Sequence, residues 1–507
     1  MVNLKERYDV VVVGAGLGGL TSGALLAKAG LSVLVAEQGS KPGGYCVSFQ
    51  RQGFTFDAGI DATMGCGKGG AVYDTLEELG LTSDIEFIRL ATGMRIIGAE
   101  YDVRVTTVEA LAEKLKKLFP PESAGIDAFL GDCKALASEM AGLMEAVPDL
   151  MGLGGKLGLM VKFLFKSPKM RKYSGKSTGE VLNTFFKEPR LRAIFGTIVP
   201  FGPRAMAPLI MNILGGEAVG YYPKGGAQAL VDVFAKGLTK HGGELALKTM
   251  VTRILVKDGR VTGVELADGT QIRSRYVVSN ADGRETFLKL VGEGHLNSKF
   301  AREIKETRLS GSCFLVSLGV DLDLRAMGFD GTTIHYNRSD DLNEIFSADP
   351  EKCWLSIMMH SLRDRSQAPP GMATIQLVAT LPYDYMGEWK VGKDGRRSKE
   401  YLQLKEAVAD KLILSAEKVI PNLSKHIIVK DIATPLTFER YTLNSEGASM
   451  GWFPSPGGKM RSQKTPIKNL YQAGAWTSPG PSIYMVVPSG RNAAQLVLNE
   501  IRPKTTE

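Results

Sequence analysis

Thiol and metal chemistry have little to work with in this chain. Its five cysteines (Cys46, Cys66, Cys133, Cys313 and Cys353) are widely scattered, and no two form a C-x-x-C pair. That excludes a zinc ribbon or a disulfide framework and points to free thiols in a reducing, cytoplasmic compartment. The five histidines (His241, His295, His335, His360 and His426) stand alone, without H-E-x-x-H or a neighbouring cysteine, so no metal centre is expected. His360, in MMHSLRD, reads as a structural or solvated residue. The opening MVNLKERYDV enters an apolar strand almost at once and leaves no room for a targeting segment. There is no internal repeat and no low-complexity tract. The hydrolase pattern G-x-S-x-G occurs around Ser177 and Ser449, but polar RKYS and TLNSE precede it where a nucleophile elbow needs an apolar strand. Both copies therefore read as loops, and no residue is assigned acid–base or nucleophilic work.

What is present is a strong nucleotide signature. In YDVVVVGAGLGGLTSGALLAKAGLSVLVAE, Val10–Val13 form a β-branched run suited to a buried parallel strand. Gly14, Gly16 and Gly19 complete G-x-G-x-x-G, with Gly18 as an extra. An apolar helical stripe follows to Gly30, and then a second strand ends on Glu37. Gly14 makes the tight turn, Gly16 admits a pyrophosphate to the backbone, and Gly19 lets the helix pack closely. The helix start offers unpaired N–H groups to phosphate, and Glu37 stands where an acid binds adenosine ribose. A second G-x-G-x-x-G at Gly65, Gly67 and Gly70 has neither a leading strand nor a following acid, and reads as a loop.

At 507 residues the chain exceeds one core, so two or three lobes are expected. Phe49–Phe56 reads as a hairpin turning at Gly53. Residues 71–172 read as mainly helical. ELALKTMVTRILVKDGRVTGVELADGTQIRSRYVVSNAD reads as β hairpins turning at Asp258–Gly259 and Asp268–Gly269. SCFLVSLGVDL, WLSIMMHSL and MATIQLVATLPY read as strands, and YLQLKEAVADKLILSAEKVI as a helix. The end of the chain returns to strand, Gly-rich turn and helix. The net charge of +8 is concentrated: Met151–Lys176 carries seven basic residues and no acid, amid Leu, Met and Phe. That stretch is too short and too charged to span a bilayer. It suits a helix lying on an anionic membrane, and equally a helical cap with a solvated basic face. No aromatic-plus-basic module accompanies it, so no nucleic-acid partner is expected.

These segments together resemble the phytoene desaturase family. The glycines with Glu37, Lys41–Gly44, FTFDAG at Phe54–Gly59, YPKGGAQAL, VVSNAD and AGAWTSPG at Ala473–Gly480 follow that family's order over nearly the whole chain. APPG at Ala368–Gly371 and TPLTFERY at Thr434–Tyr441 are more similar to its carotenoid isomerase and retinol saturase branch. The resemblance implies an α/β fold: a Rossmann-like FAD-binding domain of glutathione-reductase type, a mixed α+β substrate domain and a helical cap. The expected division is 1–70, 215–290 and 460–507 for FAD, 71–214 for the cap with its basic stretch 151–176, and 291–459 for substrate.

The cofactor implied is FAD. Its expected contacts are Gly14, Ala15, Gly16, Gly18, Gly19, Glu37, Gln38, Gly43, Gly44, Val251, Asn280, Gly474, Ala475, Met485 and Val486, with Trp476 and Tyr484 facing substrate. The activity implied is a FAD-dependent oxidoreductase on C–C bonds of a hydrophobic polyene or isoprenoid, by desaturation, saturation or redox-neutral isomerisation. A non-enzymatic lipid-binding protein and a flavin amine oxidase on the same scaffold are the alternatives. The redox partner is left open.

Overall fold

The computed structural model describes residues 4–90, 93–144, 146–198, 201–215, 220–390, 397–458 and 460–501. The expected junction at residue 215 therefore adjoins a stretch, 216–219, outside the described residues.

The apolar run at the start forms the strand Arg7–Val13, centre of a seven-stranded sheet. It pairs in parallel with Gln271–Ser279 on one side and Val33–Ala36 on the other. Glu244–Ala246 extends the sheet beyond Val33–Ala36, and Leu470–Gln472 joins in parallel beside Gln271–Ser279. The hairpins Val251–Lys257, Arg260–Leu266 and Gln271–Ser279 close the other edge, and Asp258 and Gly259 turn with positive φ as the Asp-Gly signal predicts.

The helices Leu17–Lys28, Ala227–Lys240 and Ile483–Ile501 pack together on one face of this sheet. Leu17–Lys28 is buried all round except at its last residue, because it lies between the other two. This sheet is thus assembled from both ends of the chain and its middle.

A second seven-stranded sheet runs in the order Ile427–Ala433, Ser312–Val320, Ala373–Leu381, Leu355–Met358, Ile334–Tyr336, Met94–Ile97, Asp102–Val105. Lys399–Glu417 packs against it. Here the structure corrects the sequence reading. The region 71–172 is not simply helical, since it supplies Phe87–Arg89 and the hairpin Met94–Val105. Met94–Ile97 pairs in parallel with Ile334–Tyr336, more than 200 positions away. Its β character comes from that tertiary partner rather than from a local turn signal. A third, helical core gathers around Phe129, with Phe185, Phe186 and Phe195 edge-on to its ring.

Candidate functional site

The first strand ends in a turn that only glycine makes easily. Gly14 has φ +91°, and its N–H donates to the Ala36 carbonyl at 2.8 Å. Gly16 caps Leu17–Lys28 without a side-chain bond, and no acid stands in the first turn. The first N–H groups of that helix are therefore offered to whatever lies in front of them. A cleft opens there, lined by Gly14, Gly16, Gly18, Glu37, Gln38, Gly43, Gly44, Val251, Asn280, Gly474, Ala475, Trp476 and Val486 among others.

Asn280 is the hub of this cleft. It follows the strand Gln271–Ser279, its N–H donates to the Val13 carbonyl, and its side-chain oxygen is buried with no hydrogen-bond partner. A Cβ on Gly16 would stand 2.6 Å from its Nδ2, and one on Gly18 2.7 Å from its Oδ1 and from the Gly474 nitrogen. The three glycines thus keep a space that any side chain would fill. The Gly43–Gly44 loop is docked onto the turn by the Gly43 N–H on the Ala15 carbonyl at 2.9 Å. The Glu37 carboxylate accepts from the N–H groups of Ala15 at 2.8 Å and Gly39 at 2.7 Å, one on each oxygen, which leaves each oxygen able to accept again where Glu37 lines the cleft.

Four of the expected residues do not line the cleft. Ala15 is buried behind it and acts through its backbone, to Glu37 and Gly43. Gly19 packs on the Gly14 carbonyl from within its helix. Met485 is buried near Gly480, and Tyr484 lies beside Gly65. Successive helical residues point about 100° apart, so only Val486 of this trio turns toward the cleft. Trp476 does line it, set edge-on to Trp452 at 4.9 Å, while the Trp452 Nε1–H donates to its carbonyl.

Several cleft residues were not foreseen. Tyr45 directly follows the glycine pair, stacks on Phe438, and donates its hydroxyl to the Gly447 carbonyl at 2.9 Å. Burial pushes its phenol well above the ordinary range, and likewise lifts the Cys46 thiol to about 12, so both stay protonated. Tyr441–Asn444 crosses the cleft as a strap. It is anchored by buried Asp282, which accepts from the Ser445 N–H at 2.8 Å and the Glu285 N–H at 2.9 Å. Burial raises the Asp282 pKa, and these bonds partly offset the rise. The strap follows TPLTFERY, so the branch-like stretch was the available signal.

The two hydrolase-like serines are structural. Ser177 caps the helix Thr178–Phe185 in a capping box with Glu180, and the Ser449 hydroxyl donates to the Gly311 carbonyl. Among the described residues no His, Cys, Asp and Glu groups gather as a metal cage. The uncapped helix start, the side-chain-free cradle around Asn280 and the acid at the second strand end fit the pyrophosphate and ribose of a dinucleotide.

Comparison with known proteins bears on the same site. A family model described as flavin containing amine oxidoreductase matches residues 17–498. The prolycopene isomerase of Daucus carota is 29% identical over 98% of this chain and 82% of its own length. A lycopene-forming phytoene desaturase of Pseudescherichia vulneris is 27% identical over 97% of this chain and 99% of its own. The all-trans-retinol 13,14-reductase of Danio rerio is 26% identical over 93% and 83%. Among solved structures, cyclohexylamine oxidase from Brevibacterium oxydans superposes with a TM-score of 0.64 at 17% identity, covering 97% of this chain and 99% of that one. That likeness speaks for the fold.

Proposed function

From the premise that this chain belongs to the flavin containing amine oxidoreductase family, we propose that it is a FAD-dependent enzyme acting on C–C bonds of a hydrophobic polyene or isoprenoid. The reaction is desaturation, saturation or redox-neutral isomerisation. The observation that carries this is the agreement of full-length relatives: isomerase, desaturase and reductase, all named for polyenes. Amine oxidase is the weaker reading, because its support among these comparisons lies in the breadth of the family description and in fold.

FAD supplies hydride transfer; the residues of the chain hold and dry the site. The glycine cradle and the start of Leu17–Lys28 bind pyrophosphate, Glu37 takes ribose hydroxyls, and Val251 and Gln38 frame the adenosine. Gly474 and Ala475 would lie by the phosphate or ribityl chain and Val486 by the ring, and Trp476 would help to keep water from it. Tyr45 and Cys46, both protonated, add no charge.

The test is anaerobic incubation of the FAD-loaded protein with a panel of polyenes, products read by mass. Loss or gain of two hydrogens identifies redox chemistry, and unchanged mass with a shifted absorption spectrum identifies isomerisation. Amine turnover with peroxide release, and no polyene product, would reverse the reading. Colourless protein that takes up no FAD would favour a lipid-binding role instead.

A membrane surface is the second element of this reading. The helix Leu153–Lys166 has no buried residue. Leu153, Leu157, Met160, Val161, Leu164 and Phe165 are all exposed, Leu153 at 90% and Phe165 at 77%. Their spacing puts them on one stripe of the helix, with Lys156 and Lys162 on its two flanks and Lys166 behind it. Lys169 and Lys172 are tied to Asp132 and belong to the cap's own packing. No helix of the described residues is long and apolar enough to cross a membrane. An exposed apolar stripe edged with lysine suits the interface of an anionic bilayer. Replacing Leu157 and Phe165 with aspartate should abolish co-sedimentation with phosphatidylglycerol vesicles while leaving FAD content unchanged. Undiminished sedimentation would make the stripe a solvated face.

A further inference from the structure

The helix Pro435–Thr442 ends in a strained cap. Leu443 closes it in the left-handed region, at φ +56° and ψ 19°, with its N–H on the Glu439 carbonyl at 2.7 Å. Glycine takes this position without a Cβ penalty, whereas leucine takes it against the steric preference of L-residues. Such strain persists where the side chain itself gains something, and burial within the protein is the usual gain. Leu443 does not have it, since it stays 37% exposed. It lines the nucleotide cleft instead.

Two more exposed apolar residues line the same cleft, Tyr441 at 69% and Met250 at 41%. Backbone bonds set them at its Glu37 end. The Thr249 N–H donates to the Glu37 carbonyl at 2.7 Å and the Lys248 N–H to the Gly39 carbonyl at 2.9 Å, which brings Met250 and Val251 beside the acid. Gln38 Nε2 donates to the Tyr441 carbonyl at 3.3 Å, so the strap starts from that end too. It then runs inward to firm anchors. Ser445 is held on Asp282, two residues past Asn280, and Asn444 Nδ2 donates to the Ala448 carbonyl at 3.1 Å. The Tyr45 hydroxyl donates to the Gly447 and Ala448 carbonyls at 2.9 and 3.1 Å. Leu443 thus stands on the stretch of strap between the Glu37 end and the Asn280 hub.

We propose that Leu443 and Tyr441, with Met250 and Val251, are the walls of the adenine subsite, and that the strap thereby sets the preference of this chain for the dinucleotide FAD over the mononucleotide FMN. This rests on the FAD reading above. The glycine cradle suits pyrophosphate and Glu37 suits ribose, and the side chains left exposed beside them are apolar. Adenine is flat and apolar on both faces, so it is the part of the dinucleotide that such walls bury. Covering Leu443 removes its apolar surface from water and offsets the strained cap only when the cofactor is in place.

The test titrates FAD-free protein with FAD and with FMN, which has the same ring and ribityl phosphate but no adenosine. Binding is read by quenching of flavin fluorescence. Leu443→Gly should bind FAD about tenfold more weakly than the wild type, the effect of withdrawing one apolar side chain from a buried ring, with FMN affinity unchanged. Its thermal midpoint without cofactor should equal or exceed that of the wild type, because glycine fits the cap. Tyr441→Ser, at a position exposed enough that truncation spares the fold, should weaken FAD several-fold and also leave FMN alone. A fold no less stable that holds the dinucleotide less tightly is a result that a merely structural leucine does not give. Undiminished FAD affinity in both variants, an equal loss for FMN, or a lowered midpoint of FAD-free Leu443→Gly overturns the assignment alone. A wild type that binds neither flavin overturns the FAD reading and the assignment with it.

Discussion

Gly18→Val protein should purify colourless and take up FAD at least about a hundredfold more weakly than the wild type. Gly18 lies at the junction of the two chain ends. A Cβ there would stand 2.7 Å from Asn280 Oδ1, 2.7 Å from the Gly474 nitrogen and 2.8 Å from the Gly474 Cα. Two of the three obstacles are backbone and cannot swing aside. Gly474 is itself held by its N–H on Ser489 Oγ at 2.7 Å, so it cannot withdraw without disturbing the last helix. Valine must therefore push the Gly474 turn away from the helix Leu17–Lys28 and fill the space around Asn280. Overpacking of this kind costs about 1–3 kcal/mol of stability, which a chain with three separate cores survives. The loss falls on the cleft. The check is the ratio of flavin to protein absorbance after reconstitution, with Gly131→Ala as control, since a Cβ at Gly131 meets nothing within 4 Å. A stoichiometrically yellow Gly18→Val protein would remove the cradle from the FAD site.

The nucleotide half of the molecule was legible because its signals are local. Strand, turn, helix, strand and acid follow one another between Tyr8 and Glu37, and each carries its own sterics. The hairpin at Asp258–Gly259 was legible for the same reason, since positive φ at both residues of a two-residue turn has few sequence solutions, and the longer connection through Asp268 keeps that signal at Gly269 alone. What escaped depends on contacts at long range. Met94–Val105 became strand because Ile334–Tyr336 lay beside it.

Helical phase escaped as well. An apolar run such as Tyr484, Met485 and Val486 does not say which member meets the cleft until the helix is docked. His360 was read as structural or solvated, and it is buried; its pairing with Asp57 and Asp61 spans some 300 positions, which no spacing rule reaches. The strap at Tyr441–Asn444 shows an intermediate case. The sequence marked the stretch that leads into it as distinctive, but only the anchoring of Ser445 on Asp282 brings it over the cleft.

Asp57→Ala should destabilise the fold by about 3–5 kcal/mol, lowering the thermal midpoint by about 3–5 °C for a chain of 507 residues. The carboxylate ties the hairpin Ser48–Asp57 to the segment Tyr221–Pro223 and to the start of Ala227–Lys240, some 165 positions along the chain. Alanine leaves the hydroxyls of Ser48 and Tyr222 and the Ala227 N–H buried without their acceptor, and each carries its own desolvation penalty. The Tyr222 phenol, whose pKa burial and the neighbouring Asp57 carboxylate push far above the ordinary range, has no ionised form to fall back on. A surface pair gives the scale. Arg51 and Asp431 meet at 2.8 Å with side chains 51% and 31% exposed, and Asp431→Ala should cost under about 1 kcal/mol. Denaturant titration of the two variants under identical conditions separates the cases. Equal midpoints would mean that water reaches the Asp57 site and takes over its bonds.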